Sequence, residues 1–166
     1  MSEKRGGSKA AIASEAWGAL LDLTMGQRTR FFGILQEFGL TPGDLRALSA
    51  LDREAPRRMR TLARAWACDA SNVTWMVDRL ESRGLVERQM LPTDRRVKMV
   101  ALTPLGASTK AELFTRLHEP PPDFLALDRA TLEALRDALA CLPVSLRATG
   151  PHERPPDGVP PHRPRA

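Results

Sequence analysis

The sequence predicts a mainly α-helical fold with a small β-hairpin (an α+β fold), and three features support this prediction. Apolar residues recur every three or four positions in several segments, which is the spacing of helices that pack through one face. Between residues 85 and 102 the spacing changes to every second residue, as in strands. The length of 166 residues is that of a single domain.

The N-terminal part is predicted to be helical. Residues 11–38 carry apolar side chains at helical spacing and would extend about 40 Å if unbroken, although Gly26 and Gly33 weaken a continuous helix. Thr41 is a good N-cap for a second helix that ends at about residue 51. Pro42 suits the first helical position, and the carboxylate of Asp44 can reach back to the helix start.

Two further helices are predicted in the middle of the chain. A short helix covers residues 61–67, and Asp69 is a suitable N-cap for the next helix, residues 70–83. Gly84 stands where a left-handed C-cap is expected. The second of these helices has one apolar stripe, formed by Val73, Met76, Val77 and Leu80.

A hairpin and two helices complete the predicted fold. Residues 85–90 and 97–102 alternate as strands, and residues 91–96 between them form a basic, proline-containing loop. A helix follows over residues 104–118, and a last helix runs from an N-cap at Asp128 to about residue 142.

Both ends of the chain are predicted to be flexible. Residues 1–10 are charged and are not followed by the apolar stretch of a secretory signal. Residues 143–166 hold seven of the 14 prolines and few large apolar side chains, so this tail cannot compensate its ordering entropy. The sequence therefore predicts one folded domain over residues 11–142.

Several classes of protein are disfavoured by composition. No apolar run reaches the length of a membrane span, so we expect a cytoplasmic protein that does not enter a membrane. Two distant cysteines and three scattered histidines predict neither a metal site nor a disulfide framework. Neither a catalytic nucleophile motif nor a phosphate-binding loop is found, and the sequence predicts no enzymatic activity and no cofactor.

The positive charge is concentrated in one stretch of the sequence. The net charge is +5, and residues 57–98 alone contain ten Lys or Arg against five acidic residues. The rest of the chain holds 15 of each sign and is neutral. Because neutralising phosphates releases counterions, a polyanion is a natural partner for this stretch, although a solvated basic surface would have the same composition.

The order of two short helices and a hairpin with an arginine-bearing tip is that of a winged helix-turn-helix, here about residues 41–103. The polar face of helix 70–83 suits the major groove of double-stranded DNA, and an arginine at the hairpin tip suits the minor groove. Arg88 and Lys98 lie behind the tip, where phosphate contacts are expected. The candidate DNA-binding residues are Ser71, Asn72, Thr74, Trp75 and Arg79 on the helix, and Arg88, Asp94, Arg95, Arg96 and Lys98 on the wing.

At these residues the sequence resembles the MarR family of bacterial transcriptional regulators. The resemblance rests on LARAWACDASNVTWMVDRLESRGLVER at residues 62–88, on PTDRRVK at 92–98 and on ALTPLG at 101–106. It implies that Arg96 enters the minor groove, that Asp94 orients it, and that Asp78 pairs with a basic side chain near the wing. One departure is Trp75, where many members carry a basic residue, so its indole either contacts DNA or packs against the wing.

The resemblance also implies a homodimer. In the family, helices equivalent to residues 11–38 and 104–142 interleave between subunits, and two winged helices bind successive grooves of a near-palindromic operator. Family members commonly repress transcription and release DNA when a small aromatic or lipophilic ligand binds. The two terminal segments agree with this arrangement, since their few apolar helices would pack poorly alone.

Two other functions remain open from the sequence. The wing of a protein-interaction module would dock on an acidic protein, and a thiol-based redox regulator would use a cysteine. Cys68 lies in the turn between two helices, where a small buried apolar residue is expected, and Cys141 is expected in the core or in a disulfide between subunits. Because the chain has no tyrosine, a cysteine–tyrosine sensing pair is excluded.

Overall fold

The computed structural model describes residues 7–66, 68–91 and 94–143. The helices of this part of the chain are α1 (Lys9–Gly26), α2 (Arg28–Glu37), α3 (Pro42–Ala50), α4 (Met59–Trp66), α5 (Ala70–Ser82), α6 (Pro104–His118), α7 (Pro122–Leu125) and α8 (Arg129–Ala140). The strands are β1 (Arg57–Arg58), β2 (Val86–Leu91) and β3 (Asp94–Leu102).

The strands form one antiparallel sheet in the order β1-β3-β2. In β2 and β3, Val86 pairs with Leu102 and Met90 with Lys98, and an irregularity follows between Met90 and Leu91. The predicted hairpin is thus present, but its strands extend into the segment 91–96 that was predicted as a loop. Residues 92 and 93 of that segment lie outside the described residues.

The hydrophobic core lies where α2 to α6 meet the base of the sheet. Its members are side chains that the sequence places on the inner faces of these elements, and they are at most 5% exposed. The predicted stripe of α5 contributes three buried residues and the half-buried Met76. Fully buried examples are Leu35, Leu48, Leu62, Val73, Val77, Leu80, Val100 and Leu113.

The start and end signals read from the sequence operate as expected in three helices. The Asp44 amide donates to the Thr41 hydroxyl at 3.3 Å, and the Thr41 amide donates to the Asp44 carboxylate at 2.8 Å. Gly84 has φ of 68°, the left-handed conformation expected after α5. Asp128 caps α8 by accepting from the Thr131 amide at 3.0 Å. Asp69 occupies the N-cap of α5, but its side chain makes no capping hydrogen bond.

Three details differ from the sequence-based prediction. The segment 11–38 is not one helix, because it breaks at Gln27, directly after Gly26, while Gly33 lies inside α2. The strand β1 was not predicted; its two residues pair with Val100 and Met99 of β3. The short helix α7, between the two predicted C-terminal helices, was not predicted.

The terminal helices pack loosely on this core. Within the described residues, α1 and α8 contain no buried side chain. The described helices include none with the length and apolar character needed to cross a membrane. The proline-rich segment that was predicted to be flexible begins at residue 143, the last described position, and the remaining residues 144–166 lie outside the described part, as do residues 1–6.

Candidate nucleic-acid interface

One face of α5 is exposed and polar. Ser71, Asn72, Thr74 and Trp75 all lie on the side opposite the buried Val73, Val77 and Leu80. The first three are at the N-terminal end of the helix, where free amide groups and the helix dipole favour negatively charged groups. The Thr74 hydroxyl donates to the Ala70 carbonyl at 2.9 Å and keeps its oxygen free to accept.

The indole of Trp75 is directed to solvent. Trp75 is 60% exposed and therefore does not pack inward against the wing, which was one of the two predicted alternatives. Its neighbour is the Arg79 guanidinium, whose central carbon lies 5.1 Å from the centre of the indole ring. This distance is within the range of a cation–π contact, which restricts the orientations that the indole adopts.

Arg79 is engaged within the chain. Its guanidinium forms an ion pair with the Asp44 carboxylate, which is 1% exposed, and it donates to the Thr41 hydroxyl at 2.9 Å. Arg79 was predicted to contact DNA. The structure instead joins it to a residue 35 positions earlier, and we therefore assign it the role of holding α5 against α3.

Arg88 is likewise paired internally. Its guanidinium forms ion pairs with Asp78 and Glu81 of α5, and its backbone amide donates to the Glu81 carboxylate at 3.1 Å. The expectation that Asp78 pairs with a basic residue near the wing is met by this contact. These two carboxylates surround its charge and the side chain is only 21% exposed, while the phosphate contact proposed for Arg88 stays a prediction.

A third arginine, the C-cap residue Arg83, also attaches the C-terminal end of α5. The Arg83 guanidinium donates to the carbonyl oxygens of Gly39 at 2.6 Å and of Phe38 at 2.8 Å. Arg79, Arg83 and Arg88 therefore attach α5 to α3, to the end of α2 and to β2. This attachment leaves the polar face of α5 exposed while the helix itself is fixed.

The remaining candidate residues of the wing lie in the first half of β3. Lys98 is exposed and lies opposite Met90, and the Met90 side chain is also exposed. The backbone of residues 94–96 belongs to β3. The side chains of Asp94, Arg95 and Arg96 lie outside the described part of the structure, so their predicted roles stay predictions.

Three further arginines contribute to the positive charge of residues 57–98 but were not predicted as site residues. Arg58, Arg60 and Arg64 are exposed, and with Thr61 they line a shallow groove of about 290 Å³. Arg64 also lines a groove with Asn72 and another with Thr74. The signal in the sequence was the excess of arginine before the turn, but only the fold shows that Arg60 and Arg64 line grooves together with residues of α5.

Both cysteines are free thiols in the described structure. Cys68 is a half-buried free thiol that packs against the core, as its position in the turn predicted. Cys141 is a free thiol at the exposed end of α8, which corrects the expectation that it belongs to the core. No group of three or more His, Cys, Asp or Glu side chains is arranged to hold a metal ion within the described residues.

Comparison with known proteins places this geometry in context. The model of the MarR family matches residues 40–98, which include the helix-turn-helix and most of the wing. An uncharacterised HTH-type transcriptional regulator of Bacillus subtilis, YcgE, is 37% identical over 103 residues, covering 60% of this chain and 66% of YcgE. A putative transcriptional regulatory protein for the hcr operon of Thauera aromatica is 32% identical over 101 residues, covering 58% of this chain and 61% of the relative.

The two curated relatives are therefore matched over a little less than two thirds of their length. Among solved structures, YusO of Bacillus subtilis superimposes with a TM-score of 0.68 at 24% identity, covering 81% of this chain and 96% of YusO. This likeness confirms the predicted fold class, a mainly helical winged helix-turn-helix with a small antiparallel sheet.

Proposed function

The chain belongs to the MarR family of winged helix-turn-helix transcriptional regulators, which is not a family of enzymes, and we propose that it represses transcription from the cytoplasm by binding a near-palindromic operator as a homodimer. The observation that carries this proposal is the exposed face of α5 formed by Ser71, Asn72, Thr74 and Trp75. Hydroxyl and amide groups at that position suit base edges and phosphates, and the indole suits a thymine methyl group or a sugar.

The attachment of the wing to α5 supports simultaneous binding to two grooves. Because Arg88 joins β2 to Asp78 and Glu81, the hairpin holds a fixed position relative to the helix. With α5 in the major groove, the tip at residues 94–96 is in a position to reach the adjacent minor groove. Arg96 is proposed as the residue that enters it, with Asp94 orienting its side chain, Arg95 beside it and Lys98 on a neighbouring phosphate.

The exposed apolar side chains of α1 support the homodimer. Ile12, Trp17 and Met25 are each more than half exposed, and α1 and α8 contain no buried residue among those described. Helices with such surfaces are stable when a partner covers them. A second copy of the chain supplies the same surfaces, and its two-fold symmetry would place two α5 helices about one DNA turn, ~34 Å, apart.

A cavity among the terminal helices is the candidate site for the small aromatic or lipophilic effector. It has a volume of about 390 Å³ and lies between the junction of α1 and α2 and the segment from the end of α6 to α7. Leu23, Phe31, Leu117 and Phe124 supply apolar walls, while Arg30 stands at its edge. This cavity lies among the helices proposed to form the dimer and not against α5.

The test is binding of the full chain to DNA from upstream of its own gene, measured by mobility shift and fluorescence anisotropy. A stoichiometric titration should give two chains for each site. Arg96→Ala should weaken binding roughly tenfold or more, because it removes a minor-groove contact worth about 1–3 kcal/mol. Arg129→Ala is the matched control, since Arg129 is 89% exposed on α8 and pairs only with Glu133 in the described structure.

Each result has a definite meaning. Equal effects of the two substitutions would contradict the role of the wing, and one chain per site would contradict the dimer. If no DNA fragment is bound but an acidic protein is captured in a salt-dependent manner, the winged helix serves as a protein-interaction module. Loss of an oxidant response in Cys68→Ser would instead support thiol-based regulation.

A further inference from the structure

We propose that Arg60 and Arg64 of α4, together with Arg58 of β1, form a second phosphate-binding surface that grips the DNA backbone beside the groove entered by α5. We call these three residues the α4 arginine surface. The proposal rests on the proposed DNA-binding function and extends it to residues outside the recognition helix and the wing tip.

The α4 arginine surface carries positive charge that the described structure does not neutralise. None of its three guanidinium groups forms an ion pair with a described side chain, whereas Arg79, Arg88 and Arg116 each pair with a carboxylate. All three side chains are exposed. Unpaired guanidinium groups that share one groove repel each other, and an external anion relieves that repulsion.

The position of this surface matches a DNA backbone. Arg64 lines one groove with Asp69 and Asn72 and another with Thr74, so this residue adjoins the N-terminal part of α5. Arg60 and Arg64 are four residues apart on one helix face, about 6 Å between their Cβ atoms. Arg58 is fixed beside them because β1 pairs with Met99 of β3. An anion bound here is thus a direct neighbour of a base-reading helix.

The chemistry of the groove favours phosphate over a protein surface. Its lining consists of Arg58, Arg60, Thr61 and Arg64, which are hydrogen-bond donors without an aromatic or large aliphatic side chain. Protein interfaces usually depend on buried aromatic or aliphatic anchors. Guanidinium groups, in contrast, bind phosphate oxygens through two parallel hydrogen bonds and need no apolar contact.

The experiment compares the double variant Arg60→Ala/Arg64→Ala with the control Arg129→Ala/Arg136→Ala in the full chain. Both variants remove two exposed helical arginines and have the same net charge. Binding to the operator and to an unrelated duplex is measured at several KCl concentrations. Each lost phosphate contact should reduce the slope of log K against log salt by about 0.9. Because two chains bind each site in the proposed dimer, the double variant removes four contacts and should reduce the slope by about 3.6.

The affinity should fall in parallel for both DNA sequences. We expect a decrease of roughly 1,000- to 10,000-fold at ~0.1 M salt, since four contacts are lost per dimer, with an unchanged specificity ratio because phosphate contacts carry no sequence information. Adding Arg58→Ala removes one contact from each chain and should reduce the slope by a further ~1.8. Arg60→Lys/Arg64→Lys keeps the charge and should preserve most of the slope.

Folding is checked by circular dichroism, and Arg60→Gln/Arg64→Gln replaces the alanine variant if that variant is unfolded. The inference is overturned if the double variant and the control have the same slope, or if the specificity ratio changes while the slope does not. Wild-type binding is measured in the same series. If the wild type binds no duplex, the proposed DNA-binding function is refuted. If the wild type binds normally and the slope of the variant is unchanged, only the phosphate-binding role of the α4 arginine surface is refuted.

Discussion

Replacing Asp44 by alanine tests the contact that fixes α5 against α3. The Asp44 carboxylate is 1% exposed and accepts hydrogen bonds from the Thr41 amide and hydroxyl, both at 2.8 Å, besides its ion pair with Arg79. Asp44→Ala removes the reciprocal half of the capping box and leaves the Arg79 guanidinium without its carboxylate. Both losses destabilise the folded chain.

The magnitude follows from these two losses. A lost helix cap costs about 1 kcal/mol, and a hydrogen bond to a charged group contributes about 1.5–3 kcal/mol. Because the Arg79 side chain is 31% exposed, water partly solvates the unpaired cation. We expect the free energy of unfolding to fall by about 3 kcal/mol, which lowers Tm by roughly 6–12 °C for a chain of this size.

The assay is thermal and urea unfolding followed by circular dichroism at one protein concentration, since a dimer makes Tm depend on concentration. Asp128→Ala is the matched control. Asp128 also caps a helix, accepting from the Thr131 amide at 3.0 Å, but its carboxylate is exposed and makes no ion pair with a described side chain. The control should therefore lose much less stability.

A double-mutant cycle separates the ion pair from the cap. Asp44→Asn combined with Arg79→Met should give a coupling energy of about 1 kcal/mol or more, because the two side chains are in direct contact. Equal losses of stability in Asp44→Ala and Asp128→Ala, together with a coupling energy near zero, would refute the reasoning.

Two further substitutions test the packing around α6. Gly106→Ala should lower Tm by several degrees, because an added Cβ would lie 2.8 Å from the Leu85 carbonyl carbon and closer still to its oxygen. Gly33→Ala is the control and should not lower Tm, because a Cβ added there meets no atom within 4 Å. Equal changes in Tm for the two variants would contradict this explanation. Burial lowers the pKa of Lys110 below its ordinary value, against the opposing charge of Asp52. In the alkaline range below pH 10.5 the unfolded chain then binds more protons, so wild-type stability should rise with pH relative to Lys110→Met, and a pH-independent difference would refute this.

Local signals in the sequence predicted much of the fold, since each acts over a few residues. Thr41 with Asp44, and Gly84 after α5, fixed helix boundaries without reference to the rest of the chain. The strand β1 could not be predicted in this way, because two residues have no detectable period and become a strand only through pairing with β3. The break at Gln27 has a visible cause in Gly26, but its consequence depends on packing.

The candidate site, like the fold, was predicted from the sequence only in part. Its exposed residues on α5 followed from the apolar stripe on the opposite face, as Asn72 and Trp75 illustrate. The ion-pair partners of the arginines were harder to predict. The family resemblance predicted that Asp78 pairs with a basic residue, which is Arg88. The pair of Arg79 and Asp44 was not predicted, because the two residues are 35 positions apart in the sequence. Charge composition alone does not distinguish an arginine that holds the fold from one available to a ligand.

The attachment of β2 to α5 through Arg88 has a consequence for regulation. Because the hairpin and the helix are joined by two ion pairs, and α5 is joined to α2 and α3 by Arg83 and Arg79, we expect these elements to move together as one body. In a dimer that binds two successive grooves, the adjustable quantity is then the separation between two such bodies. A molecule that releases DNA would act by altering that separation through the terminal helices, and a change of a few ångströms would remove both bodies from register at once.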